Sequence, residues 1–278
     1  MPPDATTSYR DLTVHAWHPK EAAGRGQSPV RCSATITGVL RIALFDLDNT
    51  LVDRQTAFGR WAASFASRRG MDGDAVAWLR AADHDGFATR HDLFSRARRH
   101  FGLDQPVTEL IAEYRAGYFE FFEPDPTVLA VLQMLRDAGW RIGVVTNGPG
   151  TQHEKIRRAG LAPLLDGCCI SDELGMEKPD RRIFDEAVRR CAGEDGGHGT
   201  VWMIGDTPIA DIAGGRAAGL RTAWLHRGRE WTEQGFRPDI VASNLRDAAE
   251  RIMGDDRVTD DRVTDDRVTD DRDRKERE

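Results

Sequence analysis

Apolar residues along this chain recur at two spacings, and the change from one to the other divides it. Ile42-Ala43-Leu44-Phe45 is an unbroken apolar run of strand length. Side chains of a strand alternate between faces, so such a run predicts a strand covered on both sides. Directly after it the spacing becomes helical. Phe58, Trp61, Ala62 and Phe65 fall at i, i+3, i+4 and i+7, one stripe of a helix. Ala75, Trp78 and Leu79 begin a second stripe, and residues 91–101 hold a third helix. Leu110, Ile111, Tyr114, Tyr118 and Phe122 line a fourth. Residues 54–124 contain no strand pattern and predict an all-helical insertion, whose aromatic stripes are helix-packing surface rather than a cofactor box.

From Asp125 onward, strands and helices alternate. Asp125-Pro126 supplies an N-cap and a first helical residue, followed by Val128, Leu129, Val131, Leu132 and Leu135, with Gly139 as the stop. Strands read out at 141–146, 167–170, 201–204, 221–225 and 239–241, with helices between them and a last helix ending near Met253. This alternation predicts an α/β fold, a parallel sheet with helices on both faces. Residues 39–53 and 125–253 then form one core, interrupted by the helical segment 54–124.

Both ends of the chain differ from this middle. Residues 1–38 are polar without a sustained period and predict a disordered extension, in which His15 and His18 are solvated. Residues 254–278 contain Asp-Asp-Arg-Val-Thr three times and predict a disordered, low-complexity tail. Net charge is −7, and the last 24 residues, with 11 acidic and 7 basic groups, carry more than half of it. Nothing in this balance points to a nucleic-acid partner. No apolar run reaches membrane-spanning length, and the N-terminus has no apolar core of a secretory signal. Cys32, Cys168, Cys169 and Cys191 show neither disulfide nor metal-ligand spacing, which predicts a reducing, cytoplasmic setting.

The polar residues of interest sit where the predicted strands end. Asp46 and Asp48 follow the first strand, Thr146 and Asn147 end the second, Lys178 lies in the loop after the third, and Asp206 and Asp211 follow the fourth. Open α/β sheets place their ligand crevice at the C-terminal ends of their strands. Two carboxylates side by side there repel one another and invite a cation, for which oxygen ligands suit Mg²⁺. Each residue has an ordinary reading as well. Asp-Asn and Asn-Gly are common in turns, most lysines are solvated, Asp206 could cap the next helix and Asp211 could lie on its wet face. What separates the two readings is that all four strand ends fall into the set a phosphoryl-transfer site needs.

In this order, the motifs Asp46-Leu47-Asp48-Asn49-Thr50, the strand ending at Thr146, Lys178-Pro179 and Gly205-Asp206-Thr207-Pro208-Ile209-Ala210-Asp211 resemble those of the haloacid dehalogenase-like (HAD) hydrolase superfamily. The likeness runs from about Val39 to Met253, and the helical insertion looks like the family's cap in its subfamily IA arrangement. The resemblance implies a Rossmann-like, three-layer core with about five parallel strands, a mobile cap and Mg²⁺-dependent chemistry on a small phosphorylated metabolite. It makes Asp46 the nucleophile of an aspartyl-phosphate mechanism. Mg²⁺ would be held by Asp46, the Asp48 carbonyl and Asp206. Phosphate would meet Thr146, Asn147 and Lys178, and Asp211 would steer Lys178 or a metal-bound water. Asp48 would be general acid and base, and since dehalogenases and phosphonatases lack an aspartate there, its presence implies the phosphatase branch. The alternatives are a sugar-phosphate mutase on the same core and a catalytically silent binding module. Silent members usually lose a carboxylate or the lysine, and here all are present. Arg54, Arg60, Arg90, His91 and Arg96 of the insertion are candidates to meet an anionic substrate, but each reads more simply as solvated surface.

Overall fold

The apolar run opens the chain's first strand, β1 (Leu40–Phe45), and Ile42, Ala43 and Leu44 are fully buried. In the computed structural model residues 40–193 and 199–255 are described. The expectations for 1–38 and for the repeats from 256 onward lie outside them. β1 is joined in one sheet by β2 (Arg141–Thr146), β3 (Gly167–Ile170), β4 (Gly199–Gly205), β5 (Arg221–Leu225) and β6 (Ile240–Ala242). The order is β3-β2-β1-β4-β5-β6, and every pairing is parallel. The sheet thus has five main strands and the short edge strand expected at 239–241, which is β6, held by pairing Ile240 with Ala223.

Helices cover the sheet as the alternation requires. Ile42 and Leu44 face the same side as Val145 and Met203, and α8 (Arg181–Ala192) packs Ile183, Phe184 and Ala187 onto them. Asp180 caps α8 by accepting from the Arg182 N–H at 2.9 Å. On the segment before β2, α5 (Pro126–Asp137) starts at Asp125, whose carboxylate accepts from the Thr127 N–H at 2.8 Å. The final helix covers 245–255, two residues beyond the predicted end, so the low-complexity tail loses residues 254 and 255 to it. Among the described residues no helix is long and apolar enough to cross a membrane.

Between β1 and β2 lie α1 (Arg54–Arg68), α2 (Asp74–Asp83), α3 (Arg90–Phe101) and α4 (Val107–Gly117), followed by a 3₁₀ turn at Tyr118–Phe121. Their aromatic stripes meet one another. The Trp61 ring lies 5.1 Å from Phe65, 5.8 Å from Phe94 and 4.9 Å from Tyr114, and all four are buried. Offset and edge-to-face contacts of this kind add about 0.5–1.5 kcal/mol per pair beyond burial. The insertion therefore has its own core, built from residues the sequence assigned to packing.

Strand order locates the crevice. The chain leaves β1 toward β2 and β3 on one side, then returns to β4 on the other, so the sheet switches direction at β1. The C-terminal ends of β2, β1 and β4 are neighbours there.

Candidate active site

The backbone after β1 separates its two carboxylates. Asp46 is still in the sheet, its N–H donating to the Ile204 carbonyl of β4 at 2.9 Å. The chain then folds back. Thr50, Leu51 and Val52 donate to the Leu47 carbonyl at 3.3, 2.9 and 3.0 Å, and Asn49 takes φ 64° at the tip. Asparagine tolerates this left-handed conformation better than most residues. Asp46 and Asp48 consequently meet different cations.

Asp46 meets Lys178. The ammonium donates to Asp46 Oδ1 and to Asp211 Oδ1, each at 2.7 Å, and all three side chains are buried. Asp211 is 0% exposed, and its other oxygen accepts from the Thr207 N–H at 2.9 Å. Burial pushes the Asp46 carboxyl up to about 7, against the pull of Lys178 and with the help of Asp211. Asp211 is raised by burial as well. Burial alone would lower Lys178, but Asp211 and Asp46 outweigh it and keep it charged. Asn147 brings the lysine there. Its Nδ2 donates to the Lys178 carbonyl at 2.9 Å, and its Oδ1 accepts from the Lys178 N–H at 2.8 Å.

Asp48 meets Lys155. This lysine lies on α6 (Gln152–Arg158), the helix after β2, and donates to both Asp48 oxygens at 2.7 and 2.6 Å. Gln152 Nε2 donates to Asp48 Oδ2 at 3.3 Å and to Thr146 Oγ1 at 2.8 Å. Burial pushes the Asp48 carboxyl up, but Lys155, Arg54 and Gln152 outweigh it and hold it below the usual carboxylate range.

Asp206 follows β4. Its carbonyl accepts from Trp224 Nε1 at 2.9 Å, which ties it to β5, and its carboxylate is 3.0 Å from Arg229 Nη2. Asp46, Asp206 and Asp211 offer oxygens all within 4.8 Å of one another. Above them is a cavity of about 490 Å³. Asp46, Asp48, Thr146, Asn147, Lys178 and Asp206 line it from the sheet, and Arg54, Asp85 and Phe87 line it from the helical insertion. Asn49 Nδ2 donates to Asp85 Oδ1 at 3.0 Å and links the two sides.

Residues 40–219 match the family model described as haloacid dehalogenase-like hydrolase. The chain belongs to this family. Among relatives, pyrimidine 5'-nucleotidase YjjG of Escherichia coli (strain K12) is 35% identical over 129 residues, 46% of this chain. The chain spans only 56% of that protein's length. Ribulose-1,5-bisphosphate 5-phosphatase of Halopiger xanaduensis is 31% identical over 227 residues, 75% of this chain and 91% of its own. In fold, the chain is similar to the magnesium-bound HAD-hydrolase YfnB from Bacillus subtilis, with a TM-score of 0.63 at 24% identity over 75% of this chain and 96% of that one.

The HAD-like fold thus gathers Asp46, Thr146, Asn147, Lys178, Asp206 and Asp211 at one sheet edge, with Asp48 beside them but turned onto Lys155. The acidic cluster consists of Asp46, Asp206 and Asp211, and the Asp48 side chain is not part of it. Asp211 is committed to Lys178 and Thr207, so Asp46 and Asp206 are the carboxylates of the cluster left for a cation. The donors fit Mg²⁺. They are hard oxygens, and burial raises both, with repulsion from Asp211 and Asp48 added at Asp46 and from Asp46 added at Asp206, a cost that a cation relieves. Asp211 lies against Lys178 rather than on a wet face, and the Asn147 side chain holds Lys178. One reading changes: Arg54, expected at the surface, is 5% exposed and paired with Asp83 at 2.8 Å. Gln152 and Lys155 were not singled out from the sequence. Their signal was there, because Gln152, Lys155, Ile156 and Ala159 fall at i, i+3, i+4 and i+7, two polar residues in the buried stripe of a helix.

Proposed function

We propose that this hydrolase removes phosphate from a small phosphorylated metabolite, with Asp46 as nucleophile and Asp48 as general acid and base. The observation that carries the reading is the division of the two aspartates between separate cations at one cavity, Lys178 for Asp46 and Lys155 for Asp48. A halide leaves without a proton, so an aspartate held apart for proton transfer has a use only when the leaving group is an oxygen.

A phosphate monoester is dianionic, and an anionic nucleophile reaches it only where fixed donors offset the repulsion. Lys178 and the Thr146 hydroxyl are such donors. Asp46 forms a bond to phosphorus as the ester bond breaks, and Asp48, ionised against Lys155 in the free site, takes up a proton from solvent as the substrate binds and gives it to the departing alkoxide. Asp48 then takes a proton from the water that attacks the aspartyl-phosphate, which frees phosphate and restores Asp46. Asp211 keeps Lys178 in place throughout. Asp46, Asp206 and the Asp48 carbonyl would hold Mg²⁺, whose charge would offset that of the phosphate oxygens. Helices α1–α4 act as the cap that excludes water and meets the alcohol part of the substrate. The free thiols Cys168, Cys169 and Cys191 suit a reducing compartment, the cytoplasm.

Two relatives are named for phosphate-ester hydrolysis on different alcohols, a nucleoside and a sugar bisphosphate, which supports the reaction and leaves the alcohol to the cavity. The test is phosphate release from p-nitrophenyl phosphate and a panel of phosphorylated metabolites. We expect turnover with Mg²⁺, none with excess chelator and none from Asp46→Asn. Turnover by Asp46→Asn equal to wild type would sink the assignment, as would an isomerised phosphate ester in place of free phosphate.

A further inference from the structure

The Asp48 carboxylate has more partners than proton transfer by itself calls for. Lys155 grips both of its oxygens and Gln152 touches one, and the two donors come from successive turns of α6. Both are polar yet buried, Gln152 at 2% and Lys155 at 6% exposed. The amide orientation follows from chemistry. Its two neighbours are the Asp48 carboxylate, which when ionised only accepts, and the Thr146 hydroxyl. The nitrogen must therefore face them. Thr146 Oγ1 then accepts from Gln152 at 2.8 Å, and its own proton remains free to donate into the cavity.

Packing holds this pair of donors from two further sides. A Cβ on Gly148 would come within 3.2 Å of the Gln152 amide, close enough that the amide would have to shift by a few tenths of an ångström to make room. The Phe122 ring centroid lies 5.4 Å from Lys155 Nζ, within cation–π range. One amide thus ties the carboxylate on the leaving-group side to the hydroxyl on the phosphate side, and one ammonium stops the carboxylate from rotating.

We propose that Gln152 and Lys155 are positioning residues, which aim Asp48 at the leaving-group oxygen in register with the Thr146 phosphate contact. The inference rests on the phosphatase reading of Asp48. Proton transfer requires heavy atoms about 2.6–3.2 Å apart, so a carboxylate free to swing spends most of its time out of reach. An aiming role has a signature that a structural strut lacks. It matters most where the departing oxygen needs a proton.

The test compares wild type, Lys155→Met, Lys155→Arg and Gln152→Leu, all with Mg²⁺, on p-nitrophenyl phosphate and on glycerol 2-phosphate. Nitrophenolate leaves without help, and an alkoxide does not. For Lys155→Met we expect kcat on the alkyl ester to fall about 10²-fold and on the aryl ester less than about tenfold. KM should stay within about threefold on both, since the lost contact acts on the reaction and not on binding. Lys155→Arg should recover part of the alkyl turnover. Gln152→Leu, a neutral exchange, should show the same selectivity at smaller size, and decides the matter if Lys155→Met does not fold. Equal losses on the two esters, or no loss from Lys155→Met and Gln152→Leu, overturn the inference while the phosphatase reading stands. A wild-type chain inert on both esters overturns that reading and this inference with it.

Discussion

Asn147 illustrates how much a single side chain carries at this site. The sequence marks it as a phosphate contact, beside a threonine at a strand end. In the structure its side chain clasps Lys178 through both backbone groups of that residue. The loop bearing Lys178 has no strand of its own to hold it, and this pair of hydrogen bonds ties it to the end of β2. Asn147→Ala should therefore displace the lysine without removing it. We expect kcat to fall about 10²-fold, the scale of a 1 Å misplacement, with a loss of about 1–3 kcal/mol in urea unfolding from two hydrogen bonds. Retention of full kcat with the stability loss alone would show that Lys178 needs no such clasp.

Elements set the distances between these residues. β4 ends on Gly205, and the π-helical stretch Pro208–Ala213 begins three residues later. Its Asp211 turns back beneath the strand end, so that a Cβ on Gly205 would sit 2.2 Å from Asp211 Oδ2. No rotamer change relieves this, because Asp211 is buried and bonded at both oxygens. Gly205→Ala should cost about 1–3 kcal/mol as overpacking, seen in the urea midpoint. It should also lower kcat by pushing Asp211 and Lys178 from their places. A variant with wild-type stability and turnover would mean that the strand end has room to move. The role of Gly205 was legible as a motif position but not as a contact, since the close approach arises only when the turn after β4 folds back.

At the scale of the whole molecule, the core is dry enough to silence its thiols. Burial pushes Cys169 and Cys191 up to about 12, and Cys168 is raised in the same way. A raised thiol favours the folded state below its unfolded value, and this contribution is lost as pH rises toward the folded value. Stability should therefore decline from about pH 9 upward. At pH 8, native chain should show no labelling of Cys168, Cys169 or Cys191 by a thiol reagent on mapping by mass spectrometry, and full labelling in denaturant. Fast labelling of any of the three in native chain would contradict the packing around α8. Sequence by itself determined the α/β class, the helical nature of the insertion and the identity of the strand-end groups, because periodicity and turn chemistry are local. It could not determine that Asp46 and Asp48, two residues apart, would face Lys178 and Lys155 respectively. Those partners are 132 and 107 residues away in the chain, and only the parallel pairing of β1 with β2 and of β2 with β3 brings the loops that carry them to the same end of the sheet.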